Sequence, residues 1–334
     1  MLQGWYDTSG GGGCVDPAVE AWVRDQVEVL DITAVRSRPW AAVWRVESRE
    51  GLWWAKVNSA RTGYEGRLLQ HLAQYDGSLL PRTIAAPEQP WALVADAGIA
   101  AREAFAGADR DVVVDFWCGV LSRYAELQRS VSAADLFGLG VPELTPSTLV
   151  RQYDELIADT RWFSPICAPD YSSDVHRRVL SIRNRLAEFA DELASGVPPS
   201  VQHDDLHSAN VFTGHGRAQI IDWGDAVVAH PFLTMRVALD VLADELGVHR
   251  DSAELRRVTE AYLSVWQEGG ASRAGLNRQL DLALRVAGLG RAAGWARALG
   301  SPEAALELDF GDAVAHWMGR LADDVLSADP GGRV

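Results

Sequence analysis

The chain has 334 residues, of which 48% are hydrophobic and 23% charged, and its net charge at pH 7 is −15. This length and composition are typical of a globular protein with one large domain or two lobes. The negative charge argues against binding to nucleic acid or to an anionic membrane surface. No segment approaches the roughly eighteen apolar residues that a membrane helix needs, so we expect no nucleic-acid partner and no membrane association.

The N-terminus and the cysteines indicate the cellular compartment. Residues 1–17 contain neither a basic region nor an apolar stretch of the secretory type, so we expect no signal peptide. The cysteines Cys14, Cys118 and Cys167 are widely separated and odd in number, which matches neither a zinc spacing nor a disulfide framework. A cytoplasmic location is the expectation that follows.

Strands dominate the predictions for the N-terminal part of the chain. Residues 16–27 begin with Asp and Pro, a pair typical of the start of a helix. Three β-branched and aromatic segments between residues 32 and 57 are separated by turn sequences and predict a β-meander. Residues 62–75 have leucines at helical spacing, and the segments 81–87 and 91–98 predict a pair of strands.

Helices dominate the predictions from residue 110 onward. Three amphipathic segments predict long helices: 111–131, 146–161 and 173–195. A β-rich island at 201–232 follows, with a hairpin around Gly-His-Gly, and nearly everything after it to residue 326 reads as helix. The order predicts an α+β protein, a small β-rich part and a large helical part divided near residues 95–100.

Lys56 is the only lysine in the chain, and the other 30 basic residues are arginines. A codon bias toward arginine could leave one lysine by chance. A site that needs a compact ammonium, however, cannot exchange it for the planar fork of arginine. A specialised lysine is a probabilistic sign of function, so other motifs have to decide between the two interpretations.

The octapeptide HDDLHSAN, which starts at His203, concentrates polar side chains. Asp205 is followed five residues later by Asn210, and Asp222 comes twelve residues after that, at the end of an apolar stretch. These oxygen ligands suit magnesium, which keeps waters and bridges to substrate phosphates, although a polar loop beside an acidic hairpin is an alternative. His203 and His207 could equally belong to a zinc site, but no cysteine pair or HExxH pattern accompanies them.

The segments VQHDDLHSANVF and IIDWGD resemble the catalytic region of the aminoglycoside phosphotransferase family, small-molecule relatives of the protein kinases. That family's pattern is His-Gly-Asp, four residues, Asn, and then a strand ending in Ile-Asp-Trp/Phe-x-Asp/Glu. The resemblance extends in order over most of the chain, including a hinge-like WALVADAG and a YAELQ helix segment. It implies a two-lobed protein-kinase-like fold, with residues 1–96 as a nucleotide-binding lobe and residues 97–334 as a catalytic and substrate-binding helical lobe.

The same resemblance implies roles for the matching residues. Asp205 matches the catalytic aspartate, which positions an acceptor hydroxyl and accepts its proton. Asn210 and Asp222 match the ligands that hold Mg²⁺ against the nucleotide phosphates. Lys56 matches the lysine that contacts the α- and β-phosphates, and Glu65, nine residues on, would pair with it. Under this interpretation the one lysine lies at the position where the family needs a lysine.

Five further positions receive roles from the resemblance. His203 is grouped with the catalytic residues, and we expect it to hold the loop by hydrogen bonds. His207 is expected to pack or hydrogen-bond near that loop. Asp225 would either touch the substrate at the mouth of the site or bond to the backbone. Ala95 and Asp96 lie in the hinge segment, where backbone groups would recognise ATP or GTP.

Two features near the expected phosphates depart from the family pattern. Asp204 stands where the family has glycine; we expect its side chain to point away, because a carboxylate pointing inward would raise the pKa of Asp205. The loop RSRPWAA, residues 36–42, contains no glycine, so its backbone contacts to phosphate are expected to be poorer. Arg36 and Arg38 are the candidates to compensate.

A third departure lies downstream of the metal strand. His230 and Thr234 stand where the family has two aspartates. This puts in doubt the usual hydrogen-bonded anchoring of that strand, but not the metal ligands. No departure removes the lysine, the base, the asparagine or the aspartate, and together these argue for an active enzyme.

Three functions are compatible with these observations. The leading one is a Mg²⁺-dependent transfer of the γ-phosphate of ATP or GTP to a hydroxyl of an aminoglycoside, an amino sugar or an amino alcohol. Net charge and acidic C-terminal residues favour an amine-bearing acceptor, although a solvated helix face explains the same residues: Glu303, Glu307, Asp309 and Asp312. A protein kinase is less well matched, since no APE-like element follows DWGD. A nucleotide-binding regulator without catalysis is the third.

Overall fold

The computed structural model describes residues 15–214, 216–267 and 270–327, and its contacts divide the chain into two compact units. The first unit contains the residues up to Ala106 and the segment Ala209–Gly224; the second contains Gly107–Ser208 and the residues from Asp225 onward. The expectation about a signal peptide, Cys14 and the hairpin tip at His215 lie outside the described residues. The functional division into lobes 1–96 and 97–334 stays a prediction.

The strands and helices of the described chain have the following bounds. The strands are β1 Val29–Arg38, β2 Ala41–Ser48, β3 Gly51–Asn58, β4 Thr83–Ala85, β5 Trp91–Ala95, β6 Ile99–Ala100, β7 Glu143–Leu144, β8 Ser200–Gln202, β9 Val211–Gly214, β10 Arg217–Ile220 and β11 Val227–Ala229. The helices are α1 Pro17–Gln26, α2 Glu65–Asp76, α3 Ala101–Ala104, α4 Arg110–Ser130, α5 Ala133–Gly138, α6 Leu149–Ala158, α7 Ser173–Ser181, α8 Arg183–Ala194, α9 Met235–Leu246, α10 Ala253–Gln267, α11 Arg273–Leu299, α12 Pro302–Glu307 and α13 Ala313–Leu326.

The predicted β-meander forms the main sheet of the first unit. Five strands pair in the order β1-β2-β3-β5-β4, all of them antiparallel. Helix α1 begins as expected, with Pro17 at its first position and the Asp16 side chain accepting the Ala18 N–H at 2.8 Å. Its buried face, Val19 and Val23, joins the core of the sheet, so apolar burial fixes this helix on the strands.

Helix α2 approaches the same sheet unusually closely at Gly66. A Cβ atom placed there would lie 3.0 Å from the Cβ of Ala92 and 3.1 Å from that of Ala85. Leu68 and Leu72 are fully buried behind it. The missing side chain therefore lets the first turn of the helix lie against the strands β4 and β5.

The hairpin predicted within the β-rich island is confirmed, and its contacts assign it to the first unit. Strands β9 and β10 pair antiparallel, with Val211 opposite Ile220, and β9 also pairs with β6. The Ile220 N–H donates to the Leu79 carbonyl at 2.8 Å, and the Gln219 side chain donates to the Leu80 carbonyl at 2.9 Å. Backbone pairing thus ties a segment from late in the chain to strands and turns from its beginning.

The second unit is mainly helical, as expected. Its longest helix, α11, has 27 residues and packs against α6, α8, α10 and α13. Strands β7, β11 and β8 form a small three-stranded sheet. One expected helix, 173–195, is in fact the two helices α7 and α8, separated at Ile182. No helix of the described chain is both long and apolar enough to cross a membrane. The expectation of an α+β fold is confirmed.

A bulky residue at position 66 should displace α2 from the sheet. We expect Gly66→Val to destabilise the protein by roughly 1–3 kcal/mol, because added methyl groups in a tight contact force strain on their neighbours. Gly119→Val is the matched control, since a Cβ at this helical glycine meets nothing within 4 Å. Urea unfolding of both variants tests the contact, and equal effects would show that Gly66 is not sterically required.

Candidate functional site

The single lysine lies buried between two carboxylates. Lys56 belongs to β3, opposite Val43 of β2 and Ala92 of β5. Its Nζ atom lies 2.7 Å from Glu65 Oε2 and 2.6 Å from Asp222 Oδ1, with 13% of the lysine side chain exposed. The structure therefore brings together three residues that the sequence places at positions 56, 65 and 222.

Glu65 reaches Lys56 because it is the first residue of α2. The close contact at Gly66 brings this helix end to the sheet beside Ala92, the cross-strand neighbour of Lys56. Only 3% of the Glu65 side chain is exposed.

The charges of this cluster depend on one another. Burial opposes the charge of Lys56, but Asp222 and Glu65 outweigh it and raise the lysine pKa above its usual range. Burial raises the pKa of Glu65, and the nearby Lys56 opposes that shift. One ammonium faces two carboxylates, so the cluster with all groups ionised carries an excess negative charge that a cation could balance.

Asp222 is held by the turn that follows β10. It has a φ of +62°, a left-handed conformation that aspartate tolerates better than most residues. The next residue, Trp223, is fully buried and its indole N–H donates to the Ile220 carbonyl at 3.0 Å. The Tyr64 hydroxyl donates to the Gly224 carbonyl at 2.6 Å. These bonds hold the turn while the Asp222 carboxylate stays 43% exposed.

Asn210 and Asp222 lie at the same end of the β9–β10 hairpin. The Ile221 N–H donates to the Asn210 carbonyl at 2.9 Å, so Asn210 just before β9 and Asp222 just after β10 lie side by side along the chain pairing. An amide oxygen and a half-exposed carboxylate are ligands that fit Mg²⁺. Within the described ranges no group of three or more His, Cys, Asp or Glu side chains could hold a metal ion by itself. A metal at this hairpin would take its remaining ligands from water and phosphate.

The hinge residues Ala95 and Asp96 are held by local bonds. The Ala95 N–H donates to the Arg82 carbonyl at 2.8 Å. The Asp96 carboxylate accepts the Trp54 indole N–H at 2.9 Å and the Gly98 N–H at 3.2 Å. The side chain of Asp96 is thus occupied within the first unit, and its contribution to nucleotide binding stays a prediction.

Within the second unit, His203 organises the loop that carries Asp205. His203 is fully buried, its N–H donates to the Tyr124 hydroxyl at 2.9 Å, and its Nδ1 accepts the Asp205 N–H at 3.3 Å. The other histidine, His207, places Nε2 3.5 Å from Asp205 Oδ2. His203 therefore bonds within the loop and His207 lies beside its carboxylate, and the functional roles of both histidines stay predictions.

Sequence reasoning missed Arg291, the main ionic partner of Asp205. This arginine lies in α11, and only 6% of its side chain is exposed. Its guanidinium is 3.0 Å from Asp205 Oδ1 and 3.5 Å from Asp225 Oδ2. Burial opposes ionisation of Asp205, but Arg291 and then His207 outweigh it and hold the pKa of that carboxyl below its usual range. The available signal was an arginine between apolar residues, LGRAAGW.

The side chain of Asp204 is buried against α11. Its φ is +66°, its side chain is 2% exposed, and Oδ2 lies 3.6 Å from the Arg291 guanidinium. The Gln202 amide donates to its Oδ1 at 3.1 Å. Burial raises the pKa of Asp204 to about 6, against the opposing effect of Arg291. The Gln202 amide and the nearby Arg291 guanidinium partly offset the cost of burying this carboxylate.

The remaining assigned positions have mixed outcomes. Asp225 makes two contacts with arginine side chains that the sequence did not predict: its carboxylate faces Arg291, and its carbonyl accepts from Arg297 at 3.1 Å. Its contact with substrate stays a prediction. In the first unit, Arg38 pairs with Ala41 across a two-residue turn. The role of Arg36 or Arg38 at a phosphate stays a prediction.

His230, which stands where the family has aspartate, caps the following turn with a neutral side chain. Its Nδ1 accepts the Phe232 N–H at 3.3 Å at the start of the turn Pro231–Thr234, and its Nε2 lies 3.3 Å from Gln279 Oε1. Burial lowers the pKa of His230 to about 4. His230 therefore caps the turn Pro231–Thr234 as an uncharged imidazole, and the anchoring of the metal strand stays untested.

Comparisons with known proteins identify the class of molecule. The model of the Phosphotransferase enzyme family matches residues 40–271. No curated protein matches the chain. Solved structures share the protein-kinase-like fold, among them macrolide 2'-phosphotransferase MphH from Brachybacterium faecium, with a TM-score of 0.57, 16% identity, and coverage of 94% of this chain and 99% of that chain.

Two further structures are similar over most of their length. The ethanolamine kinase of Plasmodium vivax has a TM-score of 0.60 at 14% identity, covering 91% of this chain and 85% of that chain. The GDP and kanamycin complex of APH(2")-IIia has a TM-score of 0.58 at 14% identity, covering 90% of this chain and 94% of that chain. At such identities the likeness shows the fold.

Removing Lys56 alone should leave Glu65 buried without its counter-charge. We expect Lys56→Met to lower the free energy of unfolding by about 3–5 kcal/mol, and Lys56→Met with Glu65→Gln to recover part of that loss. Arg151→Met, which breaks an exposed pair with Glu155, should change stability by less than about 1 kcal/mol. Urea unfolding measures all three, and a double variant no more stable than Lys56→Met would contradict the coupling.

His230 should make the free energy of unfolding depend on pH. The unfolded chain takes up a proton at this residue near its ordinary pKa, and the folded protein only near pH 4. The contribution of the neutral imidazole to the free energy of unfolding is therefore fully present above about pH 6.5. It is lost progressively toward pH 4, by up to about 3 kcal/mol. The stability of wild type should fall more steeply over this window than that of His230→Asn. The exposed His249→Gln is the control, and parallel curves for wild type and His230→Asn would refute this effect.

Proposed function

The chain belongs to the Phosphotransferase enzyme family, and on that premise we propose that it transfers the γ-phosphate of ATP or GTP to a hydroxyl of a small molecule. The observation that carries the proposal is the Lys56–Glu65–Asp222 cluster. A buried lysine fixed by a helix glutamate beside an aspartate at a strand end is the phosphate-binding arrangement of this chemistry. Lys56, the only lysine in the chain, provides the ammonium of this arrangement.

The first unit supplies the nucleotide-binding residues. Lys56 contacts the α- and β-phosphates, and Glu65 keeps its ammonium in place. Asn210 and Asp222 would hold Mg²⁺, which when bound offsets the charge on the phosphate oxygens. The cluster has one more carboxylate than ammonium, and Asp222 is its half-exposed member, which supports the assignment of Asp222 as a metal ligand.

Asp205 acts on the acceptor hydroxyl. Its carboxylate is ionised and 26% exposed, so it can accept the hydroxyl hydrogen bond and orient the oxygen. A carboxylate whose pKa lies below the usual range is a weak base. It therefore takes the proton late, when the new oxygen–phosphorus bond has acidified the hydroxyl, which suits a loose transition state. His203 and His207 keep the loop in shape.

The acceptor is proposed to be an amino alcohol, an amino sugar or an aminoglycoside. The net charge of −15 favours the approach of a cationic molecule, and kanamycin and ethanolamine appear in the names of two structural neighbours. Among the acidic C-terminal residues, Glu303 is already paired with Arg161 at 2.9 Å. The exposed Glu307, Asp309 and Asp312 are better placed to attract an amine.

Replacing the base should abolish transfer but preserve nucleotide binding. With Mg²⁺ and either ATP or GTP, wild type is incubated with a panel of aminoglycosides, amino sugars and amino alcohols, and phosphorylated product is measured by mass spectrometry. We expect Asp205→Asn to lower kcat by about 10²–10⁴-fold and leave the nucleotide Kd nearly unchanged.

Two further variants serve as controls for the Asp205→Asn result. Asp191→Asn changes an exposed aspartate of α8 and should behave as wild type, while Lys56→Met should weaken nucleotide binding. Tight nucleotide binding by wild type without turnover of any acceptor would favour the catalytically silent regulator. Phosphorylation of proteins in preference to every small molecule would favour the protein kinase.

A further inference from the structure

Helix α11 is shaped to receive the carboxylate of Asp204. A Cβ atom on Gly290 would lie 2.8 Å from Asp204 Oδ1, and one on Gly294 would lie 3.2 Å from Oδ2. Glycine in a helix interior disfavours the helix relative to alanine, so two such residues one turn apart need a packing reason. The Asp204 side chain, buried between them, provides that reason.

Arg291, between these two glycines, completes the receptor for the loop. Its guanidinium donates to the Asp204 backbone carbonyl at 3.0 Å and lies 3.6 Å from the Asp204 carboxylate. The same group lies 3.0 Å from Asp205 Oδ1. One planar fork therefore binds the backbone and side chain of Asp204 and the side chain of the next residue, a geometry that lysine cannot reproduce in full.

The orientation of Arg291 is itself determined by its surroundings. Its guanidinium is further contacted by the Asp225 carboxylate at 3.5 Å and lies over the Trp317 ring, with 5.7 Å between the guanidinium carbon and the ring centroid. With 6% of its side chain exposed, it has little freedom to move. Fixing Arg291 in this way fixes the position of any carboxylate that it binds.

We propose that Asp204 and Arg291 are positioning residues for Asp205, with Asp204 anchored between Gly290 and Gly294 and Arg291 bridging from that anchor to the catalytic carboxylate. This inference rests on the proposed function of Asp205. Under this proposal, the Asp204 carboxylate does not interfere with the Asp205 carboxylate. The Asp204 carboxylate instead helps to hold Arg291, whose guanidinium keeps the Asp205 carboxylate ionised and oriented.

The groups that favour ionisation of Asp205 within the second unit come from two elements, and the carboxylates of Asp204 and Asp225 face the same guanidinium as Asp205. Arg291 comes from α11, and His203 and His207 come from the loop itself. Arg291 contributes the largest favourable effect, and it keeps the pKa of Asp205 low against burial. Loss of the guanidinium should consequently raise the pKa of Asp205 by about 1–3 units, the size of effect that an opposite charge within about 4–6 Å produces.

Carbon-13 NMR titration of the aspartate carboxyl groups measures this directly in the full-length protein, with the Asp205 signal assigned through Asp205→Asn. We expect the pKa of Asp205 to rise in Arg291→Met and to stay closer to wild type in Arg291→Lys. The matched control is Arg285→Met, which removes another buried arginine of α11 bonded to Asp281 and Ser327. That change should leave the pKa of Asp205 unaltered.

Steady-state kinetics tests positioning separately from structure. In Arg291→Met the acidic limb of the kcat/KM profile should move to higher pH together with the NMR titration, and kcat at pH 7 should fall about 10-fold or more while the nucleotide KM stays the same. Asp204→Asn should lower kcat in the wild-type background and have little further effect in Arg291→Met, because residues that act as a unit are not additive.

The outcomes distinguish this inference from the proposed function. A folded Arg291→Met protein with unchanged Asp205 pKa and an unchanged pH profile would overturn the inference even if an acceptor is phosphorylated. Independent effects of Asp204→Asn and Arg291→Met would overturn the anchoring role of Asp204. If no acceptor is phosphorylated but the pKa of Asp205 rises in Arg291→Met, the proposed function fails while the hold of Arg291 on Asp205 stands. Should Arg291→Met fail to fold, Arg291→Lys and the Asp204 variant carry the same test.

Discussion

The buried ammonium of Lys56 is the constraint on which the first unit depends. A buried charge is costly unless it is paired, so β3, the start of α2 and the turn after β10 must each deliver a group to one point. The glycine at position 66 and the hydrogen bonds around Trp223 follow from that requirement. The same cluster leaves an excess of carboxylate over ammonium, and the Asp222 side chain within it is half-exposed.

Two of the three aspartates with a left-handed backbone in the described residues serve different purposes. Asp222 and Asp204 have φ values of +62° and +66°, a conformation that costs most side chains energy and that glycine adopts freely. At Asp222 the unusual backbone leaves the carboxylate half-exposed. At Asp204 it directs the carboxylate into α11, where glycine would have left no anchor. Strain of this kind is retained where the surrounding contacts determine it.

Local chemistry explains why much of the fold was predictable. The Asp16–Pro17 start of α1, the turns between the first three strands and the hairpin of β9 and β10 are set by residues close together in the chain. The single lysine and the spacing of Asp205, Asn210 and Asp222 likewise follow from the sequence. The break at Ile182, which separates two helices within one amphipathic pattern, was not visible in periodicity.

The sequence by itself determined the α+β order, the family and the residues at which phosphoryl transfer was expected, because these depend on short patterns. Only the tertiary structure decided which way Asp204 points and which residue faces Asp205. Arg291 lies 87 residues from Asp204 in the chain, and helical periodicity alone does not show which loop a buried arginine meets. Burial strengthens the contact between Arg291 and Asp205, because the charge of an arginine acts on a neighbouring carboxylate far more strongly in the protein interior than in water.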